Sequence, residues 1–207
     1  MEKQEILDCK VTLIGDSGVG KSSIIARYIS GIFMNDIMST SGATYSKKIY
    51  VKNGKKVRLN IWDTAGQEKY RALGKNFYKD SYIICIVFDI TQKDSFTNIK
   101  EIWYPDIQKY GEKYHIISII GNKCDKFKEE QISEDEANSF AKEIGGKLFF
   151  VSAFNGNGIE AMFKTLADNY LNPEFKNKIN ENNKERANAF ELRKEDFKIK
   201  NKKDKCC

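Results

Sequence analysis

The chain has 207 residues, 41% hydrophobic and 31% charged, which is enough for one core of ordinary density plus a tail. Its net charge of +6 is uneven, because Asn172 to Cys207 holds 11 Lys/Arg against 7 Asp/Glu; the remainder has no basic stripe with interleaved aromatics, which argues against a nucleic-acid module. The five cysteines form no C-x-x-C pair, Met1 to Cys9 has no apolar signal core, and the longest apolar run, Tyr82 to Phe88, falls short of a bilayer, so free thiols in a reducing, cytosolic setting are expected.

The first strand is expected over Cys9 to Gly15, and the first helix over Lys21 to Ser30, where Ile24, Ile25, Tyr28 and Ile29 recur at helical spacing. Between them Gly15-Asp16-Ser17-Gly18-Val19-Gly20-Lys21-Ser22 matches the phosphate-cradling pattern G-x-x-x-x-G-K-[ST]. Its glycines let successive N–H groups turn inward, and the helix that follows adds the positive end of its dipole. Ser17, Gly18, Val19, Gly20, Lys21, Ser22 and Ser23 are the candidate phosphate contacts. Lys21 would meet the outer phosphates and the Ser22 hydroxyl would ligate Mg²⁺.

Thr40 lies in the next loop, where its hydroxyl would reach the metal only while a γ-phosphate is present. Strands over Tyr45 to Lys52 and Val57 to Trp62 flank Asn53-Gly54, a hairpin signal, so this pair is expected to be antiparallel. Asp63 follows the second of them and is placed for the metal shell, Gly66 for the γ-phosphate, and Gln67 for the attacking water. A helix over Glu68 to Lys75, a strand over Tyr82 to Asp89, a helix over Ser95 to Tyr110 and a strand over Ile116 to Asn122 follow. Asn122-Lys123-Cys124-Asp125 then supplies an N-K-x-D guanine signature: Asp125 accepts from guanine N1–H and its exocyclic amine, a donor pair that adenine lacks. Asn122 and the Lys123 stem would brace that loop.

Ser133 to Glu136 forms a capping box for a helix that runs to Ile144 and stops at Gly145-Gly146. A last strand over Lys147 to Ser152 leads into Ser152-Ala153, whose backbone would meet the guanine O6, and a last helix covers Ile159 to Leu171. The alternation predicts an α/β fold, a six-stranded, mostly parallel sheet with helices on both faces. The folded domain is expected over residues 1–171, and residues 172–207, rich in Asn, Lys and Glu, as a flexible tail.

With these motifs in place the chain resembles the Ras superfamily of small GTPases, and within it the Rab family, over roughly residues 8–171. GDSGVGKS, Thr40, WDTAGQE, NKCD and SAF carry the superfamily resemblance; SGATY, FYKDS, IVFDIT, NIKEIWYPDI and the Cys206-Cys207 end carry the Rab one. The resemblance implies a phosphate-loop G domain that binds GTP and GDP with Mg²⁺. It also implies slow hydrolysis helped by Lys21 and Gln67, and switching of vesicle traffic through effector recruitment. It places Phe33 and Phe154 at the guanine, Ser41, Gly42, Ala43, Tyr45, Trp62 and Phe77 on the effector surface, and geranylgeranyl groups on Cys206 and Cys207. Implied partners are effectors, an exchange factor, a GTPase-activating protein, a GDP-dissociation inhibitor, the prenylation machinery and the cytoplasmic face of an intracellular membrane, with SGATY and GQEKYRAL most like the endosomal branch. Two positions depart from the pattern: Ser41 stands where Ile is usual, and Phe154 where Lys is. Arg27 is expected to face away from the phosphates, so no arginine is supplied in cis. Two alternatives stay open at this point, a metabolic phosphate-loop kinase, for which no segment is spare as a substrate lid, and a nucleotide-binding scaffold without hydrolysis, against which Gln67 stands.

Overall fold

The computed structural model describes residues 6–33, 43–64 and 77–184. Strands β1 (Ile6–Ile14), β2 (Ala43–Lys52), β3 (Lys55–Thr64), β4 (Ile83–Asp89), β5 (Ile116–Asn122) and β6 (Lys147–Phe150) form one sheet in the order β2-β3-β1-β4-β5-β6. Among the described residues only the β2–β3 pair is antiparallel. Its turn is the one expected: Asn53 and Gly54 have φ of 48° and 75°, the two left-handed residues of a tight hairpin, and pairing runs unbroken to Lys52 and Lys55. The pairing therefore carries β2 two residues beyond its apolar pattern at its start, and β3 two residues beyond at each end.

β4 is buried at all seven positions, as a central strand covered on both faces must be. Ile84, Ile86 and Phe88 point to the face covered by the helical run from Lys93 to Tyr110 and by α4 (Glu134–Glu143), where Phe96, Ile99, Trp103 and Phe140 complete the core. Tyr28 of α1 (Lys21–Ser30) stacks on Phe163 of α5 (Ile159–Leu171), with centroids 3.8 Å apart, in the other layer. Ile24, Ile25 and Tyr28 of α1 are buried, but Ile29, counted with them by spacing, is 40% exposed.

The helix expected over Ser95 to Tyr110 is three pieces: α2 (Lys93–Asn98), a π turn (Ile99–Trp103) and α3 (Tyr104–Tyr110). Pro105 explains the break, since it has no N–H to donate and its ring crowds the carbonyl four residues back. The Tyr104 N–H reaches instead to the Ile99 carbonyl, five back. β6 ends two residues early because Ser152 turns out of the ladder: Val151 N–H still donates to Gly121 O of β5 at 2.8 Å, but Ser152 N–H donates to Asn157 O at 3.0 Å.

The contacts divide the chain between Tyr170 and Leu171. Beyond that point residues 173–184 are helical, where the composition predicts a flexible tail. Asn172-Pro173, read from sequence as the end of a pattern, works as a helix start: Asn172 Oδ1 accepts the Glu174 N–H at 2.9 Å, and proline suits the first turn. The expected helix over Glu68 to Lys75 lies outside the described residues. No described helix is long and apolar enough to cross a membrane.

Candidate nucleotide site

The predicted site residues that are described gather where β1, β3, β5 and β6 end, at the carboxyl edge where parallel sheets bind ligands. β1 lies between β3 and β4, which leave it on opposite sides, so the loop after β1 springs from the point where the strand order divides. That loop is built tight against the sheet. Gly15 has φ of 134°, and a Cβ there would overlap the Val87 carbonyl of β4; Gly20, with φ of 96°, leaves room only for the Asn122 amide. Ser17 and Gly18 form the exposed crest, while Val19 is buried and pins the loop.

Gly20 starts α1 with no side-chain cap and no carboxylate in the first turn. The first N–H groups of the helix, at Lys21, Ser22 and Ser23, therefore lie at the positive end of its dipole, where an anion is favoured. Lys21 is 5% exposed, and its amine donates to the Gly15 carbonyl at 2.8 Å and the Asp16 carbonyl at 2.7 Å. Burial pushes its pKa down to about 8, against the opposing pull of Asp63 and Asp16. Next to it, Ser22 Oγ donates to Asp63 Oδ2 at 2.5 Å. The pair offers two hard oxygen ligands from different elements, which suits Mg²⁺: that ion keeps much of its shell for water and phosphate. Among the described residues no cluster of three or more His, Cys, Asp or Glu could hold a metal unaided.

The base-side loop is tied to the phosphate side by one buried amide. Asn122 Nδ2 donates to Val19 O at 2.8 Å, and its Oδ1 accepts the Ala153 N–H at 3.2 Å. Asp125 accepts the Ser152 hydroxyl at 2.5 Å, and a carboxylate, with about four lone-pair directions, keeps capacity for a further donor pair. Lys123 takes the left-handed conformation, φ 66°, and its amine meets buried Asp89 at 2.5 Å. Gly18, Gly20, Phe33, Asn122, Asp125 and Phe154 help line a cavity of about 310 Å³, in the size range of small-ligand pockets. A larger cavity of about 860 Å³ beside Phe127 and Ile132 contains none of the predicted site residues.

Phe33 meets Phe154 edge-on, with centroids 5.3 Å apart. Arg27, which the sequence turns away from the phosphates, holds this end of the site. Its guanidinium donates to the carbonyls of Ala153 (2.8 Å), Gly31 (2.7 Å) and Phe154, and lies 6.0 Å from the Phe33 ring centre. Tyr45 and Trp62 are register partners on β2 and β3, with rings 5.3 Å apart. Phe77 joins that corner through its carbonyl, which accepts from Thr12, the β1 partner of Trp62. Ala43 contributes the first rung of β2, opposite Thr64. Thr40, Ser41, Gly42, Gly66, Gln67, Cys206 and Cys207 lie outside the described residues.

No motif marks the role of Arg27, and IVFDIT, which contains Asp89, does not say what that carboxylate holds. Asp89 does carry a signal: a carboxylate closing a wholly apolar strand must be paired if buried, and Lys123 is that pair. Arg27 finds the Ala153 and Phe154 carbonyls 126 and 127 residues away, beyond any local pattern.

A model of the Ras family matches residues 10–172. The Ras-related protein RABC1 of Arabidopsis thaliana is 40% identical over 158 residues, 76% of this chain and 74% of its own. The Ras-related protein Rab-21 of Bos taurus is 40% identical over 157 residues, 76% of this chain and 70% of its own. The Ras-related protein Rab-26 of Rattus norvegicus is 37% identical over 159 residues; the match spans 76% of this chain but only 62% of that relative's length.

Proposed function

This chain belongs to the Ras family, in its Rab branch, and from that premise we propose that it is a GTP-hydrolysing switch that regulates vesicle traffic by recruiting effectors to membranes while GTP is bound. The observation that carries the reading is the Asn122 node. One buried side chain fixes the phosphate loop and the base loop at once, with Asp125 set beside it for guanine.

In this reading the N–H groups from Ser17 to Ser23 wrap the phosphates, and Lys21 turns from the carbonyls of Gly15 and Asp16 to the outer phosphoryl oxygens. Ser22 and Asp63, with Thr40, hold the Mg²⁺ whose charge offsets that of the phosphates. Gln67 orients the attacking water and Gly66 contacts the γ-phosphate. Arg27 is spent on backbone carbonyls, so hydrolysis is slow unaided and is accelerated roughly 10³- to 10⁵-fold by an arginine from an activating partner. Loss of the γ-phosphate releases Thr40 and Gly66 together, and the surface bearing Ser41, Gly42, Ala43, Tyr45, Trp62 and Phe77 changes shape. Prenyl groups on Cys206 and Cys207, assisted by Lys198, Lys200, Lys202, Lys203 and Lys205, hold the chain at an anionic membrane, of the endosomal type by its motifs. An exchange factor and a GDP-dissociation inhibitor complete its cycle between membrane and cytosol.

Calorimetric titration tests the base assignment. The chain should bind GDP at least roughly a thousandfold more tightly than ADP, and Asp125→Ala should bring the two within about tenfold, since the discrimination comes from a carboxylate left unpaired by adenine. Equal affinities for GDP and ADP in the parent would end the proposal.

A further inference from the structure

Asp16 follows Gly15 in the phosphate loop, and donors on one neighbouring helical run hold both of its carboxylate oxygens. Asn98 Nδ2 donates to Oδ2 at 2.6 Å, and Trp103 Nε1 donates to Oδ1 at 2.7 Å. The two donors are five residues apart. In a regular α-helix that spacing turns side chains about 140° away from one another, too far to grip one carboxylate. Between them lies the π turn Ile99–Trp103, closed by the Tyr104 N–H on the Ile99 carbonyl, and a turn of that width brings residues five apart to nearly the same side. Ile99 and Trp103 are both buried in the core beneath the sheet, so the turn is fixed by packing.

The carboxylate has a physical reason to be held. It is a negative charge in a loop built to receive a polyphosphate, and a free Asp16 side chain would repel the ligand. With its two oxygens turned to Asn98 and Trp103, the charge is kept on the helix side. The peptide whose carbonyl orients Lys21 is fixed by the same contacts.

We propose that Asp16 is a positioning residue for the bound nucleotide, and that the π turn exists to present Asn98 and Trp103 as its tether. The inference rests on the guanine-nucleotide reading of the site and adds to it a helix outside the nucleotide motifs that sets how firmly the ligand is held. Trp103→Phe removes the indole donor while keeping an aromatic ring in the core, and Asn98→Ala removes the other donor; both leave the Asp16 charge in place but loose.

The test is the release of a fluorescent GDP analogue from the full chain with Mg²⁺, chased by excess GDP. Each variant should release the analogue roughly three- to tenfold faster than the parent. The difference should shrink in about 1 M salt, where the repulsion is screened, and should vanish when Asp16→Ala is added to both chains. A merely structural role for Trp103 would survive that addition. Release unchanged in the single variants, or equally accelerated with and without Asp16→Ala, overturns the tether; should Trp103→Phe not fold, Asn98→Ala with Asp16→Ala decides by itself. A parent chain that never retains the analogue removes the nucleotide reading and the tether together, whereas a parent that retains it and ignores these changes removes the tether alone.

Discussion

Lys21 makes the site sensitive to pH in a direction that can be derived. Its amine is buried on two carbonyls, and desolvation has moved its pKa from 10.5 to about 8, with Asp63 and Asp16 pulling the other way. Phosphate favours the charged amine, so the nucleotide-bound chain keeps the proton to higher pH than the free chain does. Below about pH 8 both forms are protonated and this group adds no pH dependence. Above it the free chain has lost the proton and binding must restore it, so affinity falls, approaching roughly tenfold per pH unit. The free fold shows the matching effect on stability: a lysine with depressed pKa opposes folding while charged, so stability rises as pH goes from about 8 to 10.5. Calorimetry of GDP binding at pH 8.5 in two buffers of different ionisation heat should register uptake of more than half a proton. Uptake near zero would mean that Lys21 holds its proton throughout.

At the scale of elements, Ser133 is the start of α4: its hydroxyl accepts the Glu136 N–H at 3.2 Å, one half of the expected capping box. The other half is not made, because Glu136 turns its carboxylate to Lys100 at 3.0 Å. Ser133→Ala should therefore lower the midpoint of urea unfolding by an amount equivalent to about 1 kcal/mol without changing the slope, and Ser133→Gly should do so by only a few tenths. A drop above about 3 kcal/mol for Ser133→Ala would mean that the residue does more than cap. What was legible in the sequence follows the same line between local and distant causes. The Asn53-Gly54 turn, the phosphate loop and the Ser133 cap are set by residues within a few positions of each other, and each stands where its motif lies. The π turn was not legible, because Pro105 gives notice of a break without saying which helical form absorbs it. At Asn172-Pro173 the apolar pattern stops, yet the same dipeptide also starts the helix over residues 173–184, and spacing alone does not tell the two roles apart. The Cys124–Glu129 3₁₀ helix carries no periodic signal at six residues.

For the whole molecule the question is how much of its stability is its own. The exposed ion pairs Lys48–Glu160, Lys52–Asp168, Arg58–Asp8 and Lys100–Glu136 are screened and contribute little each. Most of the stability lies in the two apolar layers around β4, and the loops at the carboxyl edge are joined chiefly by polar contacts such as Asn122 to Val19 and Arg27 to Ala153. Those contacts span 103 and 126 residues, which is why the motifs were legible one by one but their joints were not. A ligand that bridges the same loops adds stability by mass action. At one hundred times its dissociation constant, GDP with Mg²⁺ contributes about 2.7 kcal/mol. At 2–4 °C per kcal/mol for a chain of this size, the unfolding midpoint should rise by about 5–11 °C. ADP at the same concentration should leave it within about 1 °C, because too little of it binds to draw the equilibrium. The same scan on Asp125→Ala separates the base from the phosphates: the phosphate loop is intact there, so a GDP shift that survives undiminished would place the recognition on the phosphates alone, and one that collapses places it on the carboxylate held by Ser152.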